Sequence, residues 1–188
     1  MPRLMYISTA ALMMLTIALP ASATDISCTV VGMVQGPFQG DPTTHGNNSQ
    51  IAVYALTQEL KVPFDTATGH SSGQRQHSPI VIVKELDKSS PQFFTAAATN
   101  ETLKTVTCNL YRTGTGSGFG GGAGGSTRAY YRITLTNATV VEIKDSGDGV
   151  NGAAQGDERE RISLTYQKIV LTDLDSNTSA ADDWSAAT

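Results

Sequence analysis

The chain has 188 residues, 39% of them hydrophobic, and a formal net charge of −4. This length and composition suit one domain with a sizeable core, and the acidic balance argues against a nucleic-acid binder that follows phosphates. With 18 glycines and only 16% charged residues, a β-rich protein with many loops is favoured over a helical one.

The first 23 residues have the pattern of a secretory signal peptide. Arg3 supplies a positive start, residues 11–19 are apolar but too short to span a bilayer well, and Ala-Ser-Ala ends at Ala23. We expect cleavage after Ala23, which would make residues 24–172 the mature domain of a secreted or periplasmic protein without further membrane contact. The alternative is an uncleaved membrane anchor.

Strand patterns follow along the mature chain. Residues 26–34, 50–60 and 78–86 are rich in β-branched and aromatic residues, and so are residues 103–112, 129–144 and 161–173. Between them, the Gly-rich residues 113–127 predict a flexible exposed hairpin loop, and 144–160 a second polar loop. Residues 173–188 are polar and predict a disordered tail. The sequence therefore indicates a mainly β domain.

One short helix is predicted after the third strand, within the stretch "HSPIVIVKELDKSSPQFFTAAA" at 77–98. Ser90 before Pro91 is typical of a helix start, because serine caps free N–H groups and proline has no N–H to lose in the first turn. The apolar residues of the helix are expected to form its packing face; they are Phe93, Phe94, Ala97 and Ala98. Asp87 and the two serines before Pro91 are interpreted as turn and capping residues.

The two cysteines, Cys28 and Cys108, each lie on the apolar face of a predicted strand. An exported chain matures where disulfides persist, and two cysteines allow only one pairing. We therefore expect a Cys28–Cys108 disulfide. The alternative is two buried cysteines that are unpaired and only fill space.

No catalytic or metal-binding constellation is visible in the sequence. The three histidines, His45, His70 and His77, lie in or beside loops without zinc-ligand spacing. A Gly-x-Ser-x-Gly nucleophile motif at a strand-to-helix turn is missing. Asp87 and Lys88 could be an acid–base pair, but neighbours in an extended segment point apart. The sequence predicts no enzyme and no cofactor, and the 77–98 stretch is interpreted as a joint in a scaffold.

Several segments, taken in order, resemble the haemolysin-coregulated protein (Hcp) family, the tube subunit of type VI secretion systems. The strongest match is residues 77–97, where the family pattern is met by His77, Pro79, Lys84, Asp87, Ser90 and Pro91. "VTCNLYRTG", "YYRITLTNATVVEI" and "ERERISLTYQKIVL" also match, the last with Tyr166 and Lys168 in the expected places, and "DISCTVVGMVQG" matches the start of the family domain.

This resemblance implies a β-barrel with one flanking helix that assembles into homohexameric rings. In the family these rings stack into a tube, which carries a spike and can hold small effector proteins. A signal peptide departs from the family pattern, because tube subunits are loaded from the cytoplasm. The alternative is therefore an exported Hcp-like module that binds a ligand or carries cargo outside a contractile machine.

Overall fold

The computed structural model describes residues 25–41, 49–113, 127–147 and 158–184. These residues form ten strands and one helix: β1 (Asp25–Gly32), β2 (Ile51–Val53), β3 (Ala55–Thr57), β4 (Leu60–Lys61), β5 (Gln76–His77), β6 (Ile80–Glu85), α1 (Ser90–Ala98), β7 (Thr102–Thr113), β8 (Thr127–Ser146), β9 (Arg159–Asp173) and β10 (Thr178–Asp183). The predicted signal segment and most of the two predicted long loops lie outside the described residues.

Eight strands make one antiparallel sheet that curls into a nearly closed barrel. Seven of them run in the order β2-β1-β7-β8-β9-β6-β3, and β10 pairs with β9. Closure comes from one stretch of chain, because β2 pairs with β1 while β3, one residue later, pairs with β6. Tyr54 between them donates its N–H to the Val83 carbonyl at 2.8 Å. The predicted strand 50–60 is therefore divided, since the chain changes partner at Tyr54.

Alternation along the strands fills the barrel. In β6, for example, Ile80, Ile82 and Lys84 are buried, and the residues between them are only partly buried. Because successive side chains of a strand point to opposite faces, such residues share the inner face. The apolar core that results includes residues from β1, β6, β7, β8, β9 and α1. The prediction of a mainly β barrel with one short helix is confirmed.

The helix α1 corrects two predictions. Phe93 is fully buried and packs edge-on against Phe38, with ring centroids 5.1 Å apart, whereas Phe94 is 67% exposed. Placing Phe94 and Ala98 on the packing face was wrong, because the helical period turns both of them toward solvent; Ala96 is the buried alanine.

The start of α1 also differs from the expected cap. Pro91 does lie in the first turn, but Ser89 is the N-cap residue and makes no side-chain capping bond. Ser90 does not cap the helix, because its hydroxyl is held by charged groups described below. Instead, Asp87 Oδ1 accepts hydrogen bonds from the N–H (2.8 Å) and the hydroxyl of Ser89, which fixes the turn before the helix.

The C-terminal segment is ordered as far as it is described, so the prediction of a disordered tail is wrong for residues 173–184. Asp173 Oδ1 accepts the N–H groups of Asp175 (2.8 Å) and Ser176 (3.0 Å), and Asn177 has φ 53°. These features reverse the chain, and β10 then pairs with residues 168–173 of β9. A polar composition does not prevent pairing when a strand edge is available beside it.

Residues 59–78 form a hairpin that we call the arm. Its strands β4 and β5 pair only with each other in a separate two-stranded sheet. Farther out, Phe64 and Ser71 form a bridge, and Asp65 and His70 close the tip through backbone bonds of 2.8 Å. The arm thus extends from the barrel as a two-stranded projection.

A buried carboxylate organises the turn after β1. Glu101 Oε1 accepts the N–H groups of Val34 (2.7 Å) and Gln35 (2.9 Å), and Oε2 accepts the Gln35 amide at 2.8 Å. Burial raises the pKa of Glu101, but these hydrogen bonds outweigh it and leave the pKa lowered. A Cβ at Gly32 would lie 2.3 Å from Glu101 Oε1, so this close approach requires glycine.

In the part of the chain that the structure describes, no helix is long and apolar enough to cross a membrane.

Candidate functional site

The polar residues of the 77–98 stretch meet in a buried cluster between β6, β9 and α1, which we call the Lys84 cluster: Lys84, Asp87, Ser90 and Glu160. Lys84 is 0% exposed, and its Nζ lies 2.8 Å from both Asp87 Oδ1 and Glu160 Oε2. The same ammonium donates to Ser90 Oγ at 2.9 Å and to the Glu85 carbonyl at 2.6 Å. Ser90 Oγ in turn donates to Glu160 Oε2 at 2.7 Å.

This geometry makes the cluster a joint between three elements. A buried ammonium is costly unless it is paired and fully hydrogen-bonded, and here two carboxylates and two further oxygens surround it. The three N–H groups of the ammonium are shared among these four oxygens, so its hydrogen-bonding capacity is filled by groups of this chain. The cluster ties the end of β6 to β9 and to the first residue of α1.

Three of the four cluster residues, Lys84, Asp87 and Ser90, were named in the sequence as matches to the family pattern. Glu160 was not. The sequence argued against an acid–base pair of Asp87 with its neighbour Lys88, and in the structure Lys88 lies on the surface and pairs with Asp41 at 3.1 Å. A signal for Glu160 was available, because it lies two residues before the buried Ile162 and so on the same strand face. Lys84 and Glu160 both lie on the buried faces of their strands. A buried lysine and a buried carboxylate are expected to form an ion pair.

Two further residues of the family pattern, Tyr166 and Lys168, lie farther along β9. Tyr166 is buried, and its hydroxyl is 2.9 Å from His77 Nδ1. Burial first, and the Asp182 carboxylate second, raise the pKa of Tyr166. Lys168 is partly buried and stands in register with Thr136 of β8 and Asp183 of β10. The structure therefore does not bring Tyr166 or Lys168 into the Lys84 cluster.

His77 and Tyr166 belong to a second group of polar contacts, at the base of the arm. Asp182 of β10 accepts from Arg75 and lies 2.7 Å from His77 Nε2, and Trp184 packs on the His77 ring. Hydrogen bonds from Arg75 and then His77 hold the pKa of Asp182 well below its ordinary value. The last described strand thus anchors the arm, a connection that the sequence did not reveal.

Cys28 and Cys108 form a disulfide between β1 and β7. The two residues are direct register partners with Cα atoms 4.0 Å apart, well below the separation of about 7 Å beyond which two cysteines cannot be bridged. Both side chains are in the core. The predicted pairing is present, with β1 directly beside the strand of Cys108.

Among the described residues, no group of three or more histidine, cysteine or acidic side chains could hold a metal ion. What the described surface does offer is exposed apolar side chains, including Val34, Leu60, Phe64, Phe94 and Val141. Exposed apolar side chains that cluster are typical of protein–protein contacts.

A curled antiparallel barrel with one flanking helix and a projecting arm places the chain in the class of mainly β barrel proteins. The chain belongs to the Hcp family within that class: the family model described as "Type VI secretion system effector, Hcp" matches residues 29–172.

Similar proteins agree with this assignment. The chain is 35% identical over 147 residues to the "Major exported protein" of Pseudomonas aeruginosa, covering 77% of this chain and 81% of that protein. A crystal structure of an Hcp protein matches with TM-score 0.74 and 25% identity, covering 85% of this chain and 99% of the other. The secreted protein Hcp3 from Pseudomonas aeruginosa matches with TM-score 0.67 and 29% identity, covering 86% and 99%.

Proposed function

We propose that the mature chain is a structural subunit that assembles into homohexameric rings, which can stack into a tube related to type VI secretion. The observation that carries this proposal is the family match over residues 29–172, together with the similarity of the barrel to solved Hcp structures. In this role the Lys84 cluster keeps the helix fixed on the barrel, and the chain acts through assembly instead of catalysis.

Light scattering coupled to size-exclusion chromatography tests this proposal. Purified mature protein at micromolar concentration should elute with the mass of six chains. A single-chain mass at every concentration up to that range would refute it. Spike and small effector proteins are the further partners that the role implies.

We further propose that assembly takes place outside the cytoplasm. The signal-like residues 1–23, a disulfide in the core and a relative named as an exported protein support this. N-terminal sequencing of the protein from its native source should find Thr24 first, and thiol counting on the denatured protein should find no free thiol. Two free thiols per chain would contradict export, and an intact Met1 would contradict cleavage after Ala23.

A second candidate function is an exported Hcp-like module that binds a ligand or carries cargo without a contractile machine. The buried disulfide favours this function. Tube subunits are loaded from the cytoplasm, where the reducing conditions keep cysteines as free thiols. Genes for sheath, baseplate and spike beside this gene would favour the tube, and their absence would favour the module.

A further inference from the structure

A small cavity lies where the base of the arm meets the barrel. Its volume is about 250 Å³, and its lining residues are His77, Ser78, Pro79, Thr165, Tyr166 and Trp184. They come from three parts of the chain: the link from β5 to β6, the middle of β9, and the residue that follows β10. The cavity is therefore a product of the folded barrel, and no single segment of the sequence predicts it.

Aromatic rings form most of the cavity wall. The rings of His77 and Tyr166 meet edge-on with centroids 5.7 Å apart, and the Trp184 ring is tilted against the same imidazole at 5.4 Å. Pro79 adds a further flat ring to the lining. Trp184 is 52% exposed, so part of its indole is open to a molecule that arrives from solvent. Rings arranged in this way bind another ring by stacking or by edge-to-face contact.

The polar atoms of these rings already have partners within the chain. The Tyr166 hydroxyl lies 2.9 Å from His77 Nδ1, and His77 Nε2 lies 2.7 Å from Asp182 Oδ2. Asp182 in turn accepts from Arg75, so that its charge is matched outside the cavity. None of the described residues that line the cavity is an acid, a lysine or an arginine. A charged ligand would lose hydration here without gaining a counter-ion, so the lining favours a neutral one.

Two hydroxyl groups in the lining can satisfy a single polar substituent on such a ligand. Ser78 Oγ donates to Glu59 Oε2 at 2.8 Å, and its oxygen can still accept a hydrogen bond. Thr165 is exposed, and its hydroxyl can donate or accept. These groups suit a ligand with one hydroxyl or N–H group on an otherwise apolar ring.

We propose that this cavity binds a small neutral aromatic molecule of one or two rings with one hydroxyl or N–H group. A cavity of about 150 Å³ is enough for benzene, so a volume of about 250 Å³ accommodates a substituted or fused ring. The ligand would contact the base of the arm, β9 and the end of β10 at once, and would stabilise the folded chain by binding. This function is separate from the proposed assembly and does not depend on it.

The probe for the test is p-cresol, a neutral phenol. Isothermal titration calorimetry of the purified mature protein should show saturable binding with a dissociation constant on the order of 0.1–1 mM, because so small a ligand makes few contacts. Trp184 is the only tryptophan of the chain, so its fluorescence should change in step with the heat. A wild-type protein that shows no saturable binding up to the solubility limit of p-cresol would overturn the proposal.

Variants of the lining locate the bound ring. Thr165→Phe places a ring of the chain itself in the cavity and should weaken binding by about tenfold or more. Thr172→Phe is the matched control, because Thr172 lies on the same strand beside Arg132 and Ser179, outside the cavity, and it should bind as the wild type does. Trp184→Leu removes one wall, should also weaken binding, and serves if Thr165→Phe fails to fold. Unchanged affinity in either folded variant would place p-cresol elsewhere and overturn the proposal.

An aromatic ring can reach the cavity as a free molecule or as a side chain of another protein. A capped neutral peptide, Gly-Ser-Tyr-Ser-Gly, carries the same phenol between short polar flanks and separates the two sources. Binding of p-cresol without binding of the peptide assigns the site to a free molecule. Competition by the peptide at equal or higher affinity assigns it to a tyrosine side chain, and both results support recognition of the ring.

Discussion

At the scale of single residues, the Lys84 cluster makes a sharp prediction about stability. Lys84→Met leaves Asp87 and Glu160 close together without their cation, and breaking a buried pair in this way costs about 3–5 kcal/mol. Lys88→Met is the matched control, because Lys88 is an exposed lysine in the same turn, and it should change the free energy of unfolding by about 0.5 kcal/mol or less. Urea unfolding measures both. Equal losses would contradict the joint role of the cluster.

Glu101 gives a prediction about pH. Its folded-state pKa is lowered, so its carboxylate contributes stability above its unfolded pKa, and this contribution is lost as the pH falls through the folded value. Glu101→Gln should therefore reduce the difference in unfolding free energy between pH 7 and pH 3. Chemical denaturation at the two pH values measures this difference. Glu158→Gln is the control, because Glu158 is exposed. If Glu101→Gln left the difference in unfolding free energy between pH 7 and pH 3 unchanged, the turn after β1 would not depend on the charge of Glu101.

At the scale of elements, α1 packs on the barrel through only one of its two aromatic side chains, Phe93. Phe93→Ala should lower the free energy of unfolding by about 3–5 kcal/mol, because it opens a cavity beside Phe38. Phe94→Ala in the same helix should cost far less in the single chain, since that ring is largely exposed. Denaturant titration of the two variants under conditions where the protein is monomeric checks this. A larger loss for Phe94 would mean that the helix packs with its other side.

The elements also show what sequence can and cannot predict here. Strand period is enough to place Ile80, Ile82 and Lys84 on one face of the predicted strand 78–86, because that face depends only on neighbouring residues. It did not find the contact of Lys84 with Glu160, because that contact depends on the register of β6 against β9. Likewise β10 was missed, since its strand character comes from the available edge of β9 and hardly from its own polar residues.

At the scale of the whole molecule, the disulfide is expected to supply a large part of the stability. It joins residues separated by 80 positions, and chain-entropy estimates for such a loop give roughly 4 kcal/mol as an upper figure. Cys28→Ala/Cys108→Ala should lose stability of this order in urea unfolding. Wild-type protein unfolded and refolded under reducing conditions separates the loss of the crosslink from the loss of sulfur packing. If the reduced wild type were as stable as the oxidised protein, the crosslink would contribute nothing.

The register of β1 against β7 also bears on how fast the chain folds. These strands are far apart in sequence and become neighbours in the sheet, and barrels with such distant pairings fold slowly because a long loop must close first. In the oxidised chain Cys28 and Cys108 are already joined, so that this loop is closed before folding begins. The oxidised chain should accordingly refold faster than the reduced one. A barrel that folds outside the cytoplasm, without cytoplasmic chaperones, would then spend less time with its strands exposed.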